Sequence, residues 1–286
     1  MSKWNLIVDV ALCENCHNCS LATKDEYIGN SHPGYAAPMP KRGHDWIRIE
    51  RKVRGTAPMV DAAYLPTMCN HCDDAPCLKA GDGAVRKRGD GIVVIDPDKA
   101  KGRRDLVSAC PYGAITWNDE LGLPQTWTFD AHLLDAGWKE PRCTQVCPTG
   151  AMKAVKADAA EMAARAAREG LAVLRPELGT RPRVYYRHLQ RYNSCFIGGS
   201  VLATIDGVTD CVQGAKVALR KDGREVAQAM TDTFGDFKCD GLAPGSGSYQ
   251  VQISHPVHGS VVREVKLQGD DSQYLGSIHI AQRAAA

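Results

Sequence analysis

The placing of its cysteines constrains this chain more than any other feature. Cys13, Cys16 and Cys19 stand at C-x₂-C-x₂-C spacing, and Cys69, Cys72 and Cys77 form a second close triad. Two single cysteines, Cys110 in "ACPYGAI" and Cys147 in "VCPTGAM", each precede a proline and share the form CP-x-GA. A [4Fe–4S] cubane takes four thiolates, and in two-cluster ferredoxins a close triad is completed by a remote cysteine followed by proline. Three plus one, counted twice, predicts eight ligands and two clusters. Which single cysteine completes which triad is left open by spacing alone. The proline ends local hydrogen bonding and turns the chain away from each remote site. The first run, "CENCHNCSLAT", stops one ligand short, because Thr23 stands where a fourth cysteine would follow Cys19.

Zinc is the competing use of such residues, with "CNHC" at 69–72 and His17 and His71 close by. Zinc sites favour paired CxxC or Cys/His knuckles, and two triads with two singles leave no economical Cys₄ set. Disulfides fit less well. The chain is long for a disulfide scaffold, and its opening "MSKWNLIVDVALC" lacks an uninterrupted apolar stretch, so it reads as cytoplasmic. His17, His44, His71 and His132 read as hydrogen-bonding side chains rather than ligands.

Nine of the twelve cysteines fall between Cys13 and Cys147, so the chain divides by chemistry. In the front part the strand-like runs "NLIVDV", "DWIRIER" and "GIVVID" alternate with Gly, Pro and polar loops, which suits a small fold wrapped around inorganic cofactors. An Ala-rich stretch predicts a helix over about 157–170, with Glu161 and Arg165 as an i,i+4 pair and Gly170 as its stop. Residues 171–197 read as a connection. From about Gly198 the pattern alternates, and seven runs from "SVLATIDG" to "YLGSIHI" predict a β-sandwich of immunoglobulin or transthyretin type. The expected class is therefore α+β, with a cluster-binding domain over 1–190 and a sandwich over 197–286. Cys195, Cys211 and Cys239, in the second part, are expected to be small apolar core residues.

A net charge of +2 says little about partners. The basic stretches 41–54 and 86–104 are interspersed with acids and predict solvated or subunit-facing surface, with no nucleic-acid binding. No run approaches the roughly 18 apolar residues of a membrane span, so direct membrane insertion is not expected.

Two triads interleaved with CP singles resemble the iron–sulfur small subunits of the molybdopterin oxidoreductases, which look like a doubled ferredoxin. The segments "VDVALCENCHNC", "GHDWIRIER", "CNHCDDAPC", "CPYGAITWN", "AHLLDAGW" and "PELGTRPRVYY" are similar to the small subunits of pyrogallol–phloroglucinol transhydroxylase and resorcinol hydroxylase. That resemblance implies that Cys147 completes the cluster of Cys13, Cys16 and Cys19, and Cys110 that of Cys69, Cys72 and Cys77. It also implies a third cluster in the relatives, whose four positions read Thr23, Trp127, Asp130 and Cys143 here. Three of these are not cysteine. The third cluster is expected to be lost, with Trp127 filling its volume and Cys143 left as a spare thiol. The implied role is electron transfer beside a large catalytic subunit that carries a molybdenum bis-pterin and acts on hydroxylated aromatics, with an external electron acceptor. Rival readings are a zinc-stabilised scaffold protein and a free-standing polyferredoxin.

Overall fold

The strand Lys3–Asp9 buries Leu6, Ile7 and Val8 almost completely, because it is the central strand of a three-stranded sheet. Met152–Ala157 pairs with it antiparallel and Val184–Arg187 pairs with it parallel. The computed structural model describes residues 1–205 and 207–281 and divides into two units: Met1–Arg51 with Tyr64–Leu189, and Lys52–Ala63 with the chain from Gln190 on.

In the first unit the register of the central sheet decides where the first triad lies. Val8 pairs with Met152, so the chain leaving the first strand toward Cys13 and the chain entering the second from Cys147 lie at one end of the sheet. The second triad lies in a different setting. A short antiparallel hairpin, Val85–Lys87 with Val93–Ile95, packs with the helices Pro76–Ala80 and Asp105–Ser108. Their buried residues form one apolar cluster that contains Cys72 and Cys77, with Cys110 and Tyr112 packed against it.

The helix Ala159–Glu169 forms as its composition predicts. Asp158 accepts a hydrogen bond from the Glu161 N–H at 2.9 Å, and Gly170 closes the helix in the left-handed region at φ 62°. The expected Glu161–Arg165 pair is corrected: Arg165 reaches forward one turn to Glu169 at 2.9 Å. Glu169 is also bonded by Arg187, so the acid that anchors this helix lies at its end.

The second unit contains two four-stranded sheets. One is built on the long strand Cys195–Ile205, which pairs with Val208–Cys211, Asp236–Leu242 and Gln273–His279. The other runs in the order Arg224–Met230, Lys216–Lys221, Gly247–His255, Gly259–Leu267, all antiparallel. Inward residues of both, among them Ile197, Val201, Phe237, Val217, Leu219, Val251 and Ile253, form a single buried core. Among the described residues this makes eight strands rather than the seven expected. The added one, Val208–Cys211, is exposed throughout and so lacks the alternation that betrays a strand. Cys195 and Cys239 are core residues, whereas Cys211, on that strand, is exposed and not a core residue.

One basic residue of the stretch 41–54, expected to be solvated or subunit-facing, departs from that expectation. Arg54 is buried with its guanidinium bonded to both oxygens of Asp240 (2.8 and 3.0 Å), to the Ser194 carbonyl at 3.1 Å and to Asp61. The Phe196 ring lies 5.5 Å below it. Arginine suits such a place because its planar fork satisfies several acceptors at once.

Candidate metal centres

All twelve cysteines are free thiols, and eight of them gather in two groups of four. In the first, burial, and then the nearby Cys147 and Cys16, push the Cys13 thiol up. The Cys19 thiol is pushed up to about 12 by burial, with Cys13, Cys16 and Cys147 adding to it. In the second, burial raises Cys69, with Cys110, Cys77 and Cys72 as the charged neighbours. Burial followed by Cys110 and Cys72 takes Cys77 to about 11. Cys13 and Cys19 in one group, and Cys69, Cys72 and Cys77 in the other, are thus thiols whose ionisation a positive centre among them would favour.

The backbone supports the same chemistry. Asn15, His17 and His71 adopt positive φ (59°, 61° and 44°), which folds successive N–H groups of each triad inward. The N–H of Asn15 bonds the Cys13 sulfur, that of Ser20 the Cys19 sulfur, and that of His71 the Cys69 sulfur. Ala114 N–H donates to Cys110 Sγ at 3.4 Å, and Thr180 bonds Cys72. Donors aimed at sulfur stabilise thiolate and raise the potential of a bound cluster. Both groups therefore fit a cuboidal iron–sulfur centre.

The second group is further held by charge. Lys87 Nζ donates to the carbonyls of His71 (2.9 Å) and Cys72 (2.7 Å), and pairs with Asp73 at 2.9 Å. Asp73 also receives Arg183 at 2.5 and 2.9 Å. Burial opposes ionisation of Asp73, but the bonds from Arg183 and Lys87 outweigh it and hold its carboxyl well below the usual range. One residue of the basic stretch 86–104 therefore lies at the edge of a thiol group.

The four positions of the third set separate. Thr23, Asp130 and Cys143 are buried near the first group. Thr23 Oγ1 donates to the Cys19 carbonyl at 2.9 Å, and the Cys143 thiol, raised first by burial, has Asp130, Cys19 and Cys147 as its charged neighbours. Asp130 accepts from the Tyr27 hydroxyl at 2.9 Å and from the Arg142 N–H at 2.8 Å. Trp127 is fully buried as well, but it packs on Phe129 (4.9 Å) and His71 (5.5 Å), a ring contact with the second triad. Tyr27, one helical turn beyond Thr23, is the large side chain bonded to Asp130. Sequence reasoning missed it, because an aromatic at helical spacing carries no mark of the polar group it will meet.

Of the histidines, His44 Nε2 donates to the Trp117 carbonyl (2.8 Å), and His71 Nδ1 accepts from the Val93 N–H at 3.0 Å. His132 lies 2.8 Å from Glu26 and packs its ring against that of His32, a residue that no sequence pattern singles out. Among the described residues no helix is long and apolar enough to cross a membrane.

Residues 60–157 match the 4Fe-4S dicluster domain family. The chain is 44% identical to the pyrogallol hydroxytransferase small subunit of Pelobacter acidigallici, over 98% of this chain and 100% of that one. It is 33% identical to one component of the anaerobic dimethyl sulfoxide reductase of Escherichia coli, over 53% of this chain and 72% of the relative. The chain belongs to the iron–sulfur subunits of the molybdopterin oxidoreductases. A third member of this family, from the tetrathionate reductase of Salmonella typhimurium, is 31% identical over 64% of this chain and 72% of its own length. Membership gives this chain an iron–sulfur, electron-transferring role beside a catalytic partner subunit.

Proposed function

We propose that this chain carries two [4Fe–4S] clusters, one on Cys13, Cys16, Cys19 and Cys147, the other on Cys69, Cys72, Cys77 and Cys110. Its electrons are exchanged with a large subunit whose molybdenum bis-pterin hydroxylates or transhydroxylates a phenolic ring, and with an external acceptor. The observation that carries this reading is the gathering of eight thiols into two groups of four, each with backbone N–H groups aimed at sulfur. The aromatic substrate class rests on likeness to the pyrogallol hydroxytransferase small subunit.

Clusters of this kind, when bound, take up and release single electrons. The chain's own residues set the conditions for that. The N–H groups of Asn15, Ser20 and His71 and the Thr180 hydroxyl stabilise charge on sulfur, while the neighbouring apolar residues Val85, Val93 and Leu106 limit water at the second group. No third cluster forms, because Thr23, Trp127 and Asp130 replace thiolates and the thiols beside Cys143, those of Cys19 and Cys147, belong to the first cluster. Residues 1–190, less the segment 52–63 that belongs to the second unit, serve as the doubled ferredoxin-like domain, and 197–286 as an immunoglobulin/transthyretin-like sandwich that docks or spaces without chemistry. We place the assembly in the cytoplasm.

Iron analysis tests the reading. Protein purified anaerobically with its partner should hold about eight irons per copy of this chain after the partner's own iron is subtracted. About twelve would restore a third cluster, and a colourless zinc protein would sink the proposal altogether. A co-purifying large subunit that contains molybdenum is the second expected result.

A further inference from the structure

Three side chains of the first unit that the electron-transfer role does not use converge on one point. Glu26 ends the helix Asn18–Tyr27, His32 lies in the loop beyond it, and His132 lies on the short helix Ala131–Asp135. Their ligand atoms all lie within 4.8 Å of one another. His132 Nε2 is 2.8 Å and His32 Nε2 is 3.8 Å from the same carboxylate oxygen, Glu26 Oε1. The two imidazole rings lie with centroids 3.9 Å apart and planes tilted by 31°. We propose that Glu26, His32 and His132 form a mononuclear site for a divalent first-row cation of the zinc type, separate from the iron–sulfur groups.

The donor set is two imidazoles and a carboxylate, which leaves the fourth position of a tetrahedral ion to water. With bonds of about 2.0–2.1 Å, neighbouring ligand atoms in such a site lie roughly 3.3 Å apart. The observed 2.8 and 3.8 Å straddle that value, so the ligand atoms shift by about half an ångström to admit the ion.

The surroundings orient these groups. Glu26 Oε2 is held by Arg142 at 2.7 Å, so Oε1 is the oxygen left to face the imidazoles. Arg142 is itself neutralised by Asp25 at 2.7 Å, which limits its repulsion of a cation. The Tyr27 hydroxyl donates to Asp130, and its oxygen lies 3.5 Å from His132 Nδ1. At 2.8 Å from a carboxylate oxygen, Nε2 carries the proton that bridges to Glu26 in the ion-free chain, and a cation entering here displaces it, with the Tyr27 oxygen in place to accept a proton moved to Nδ1. Outer partners that fix ring orientation in this way are a regular part of histidine metal sites. A simple His132–Glu26 hydrogen bond accounts for one of the two rings. His32 Nε2 is placed by the Glu26 carbonyl oxygen at 3.3 Å, which leaves it 3.8 Å from Oε1, so both rings are held beside this carboxylate before any ion binds.

The test uses the full chain with its clusters in place, dialysed anaerobically against micromolar zinc. One zinc per chain should remain above the iron content. Its X-ray absorption should show nitrogen and oxygen neighbours at about 2.0–2.1 Å and no sulfur at about 2.3 Å. His32→Ala, outside the helix that carries Cys19, and His132→Gln should each lower zinc affinity by at least about tenfold with iron content unchanged. His32→Ala is decisive, because His132 also braces Glu26 and its replacement could disturb the fold. Cys143→Ser should leave zinc binding intact. No bound zinc, zinc held through sulfur, or full affinity in His32→Ala each overturns the assignment.

Discussion

Lys87→Met should loosen one thiol group and leave the other alone. Nζ of Lys87 donates to three carbonyls, those of His71 (2.9 Å), Cys72 (2.7 Å) and Gly91 (3.1 Å), and two of these belong to the turn that carries the second triad. Its side chain is only 17% exposed, so water replaces these bonds incompletely. Asp73 keeps both bonds from Arg183, so the substitution strands no carboxylate and the cost falls on the turn. A hydrogen bond from a charged donor is worth about 1.5–3 kcal/mol, and with partial replacement by water the two in the turn amount to roughly 3 kcal/mol. That makes local opening of the turn about a hundredfold more frequent. Anaerobic iron release to a chelator reads this directly. The variant should lose about half its iron roughly a hundredfold faster than the parent, and the other half at the parent rate. Uniform acceleration of all the iron, or none, would refute the reasoning, since either means that Lys87 does not hold this one turn.

Cys16→Ser and Cys72→Ser should each remove about half the iron, whereas Cys143→Ser should retain all of it; equal loss in Cys143→Ser would make that thiol a ligand. Arg54→Met, which leaves Asp61 and Asp240 without their buried partner, should destabilise the second unit by about 3–5 kcal/mol, read as a lower urea midpoint with iron retained. A midpoint within error of the parent would mean the network contributes little. Burial opposes ionisation of Asp61, yet the bonds from Arg54, Arg191 and Lys238 hold its carboxyl well below the usual range. A depressed carboxyl contributes stability above its unfolded value near ~3.9 and loses it as the pH falls through the folded one. Asp61→Asn should therefore lower stability at neutral pH and flatten its decline below about pH 4, and an unchanged acid slope would count against the pairing.

Spacing alone made the two triads and the two CP singles legible, because the three close ligands lie within a few residues of one another and each single carries its own local CP-x-GA turn. The helix Ala159–Glu169 was legible for the same reason: its cap, its stop and its alanines are neighbours in sequence. Which single cysteine lies beside which triad is a different kind of fact. It depends on the antiparallel register of Lys3–Asp9 with Met152–Ala157, a pairing between segments far apart in the chain that no local pattern encodes. The same holds for the parallel pairing of the strands Cys195–Ile205 and Gln273–His279.

Charge was the least legible property. Arg54 and Lys87 stand in basic stretches that look alike on paper, yet one is sealed in a knot with Asp61 and Asp240 and the other braces the turn around Cys72. Nothing in the sequence distinguishes them from the solvated arginines nearby, since the environment of a long side chain is set by the segments brought against its tip. Glu26 and His32 were invisible for that reason too: their convergence with His132 exists only once the helix Asn18–Tyr27 and the segment Ala131–Asp135 are packed together. The sequence by itself therefore determined which atoms could bind iron, through residue type and local spacing. Only the tertiary structure decided which of them meet and which charges surround them, because those are contacts between distant segments, fixed by sheet register and burial rather than by any neighbour in the chain.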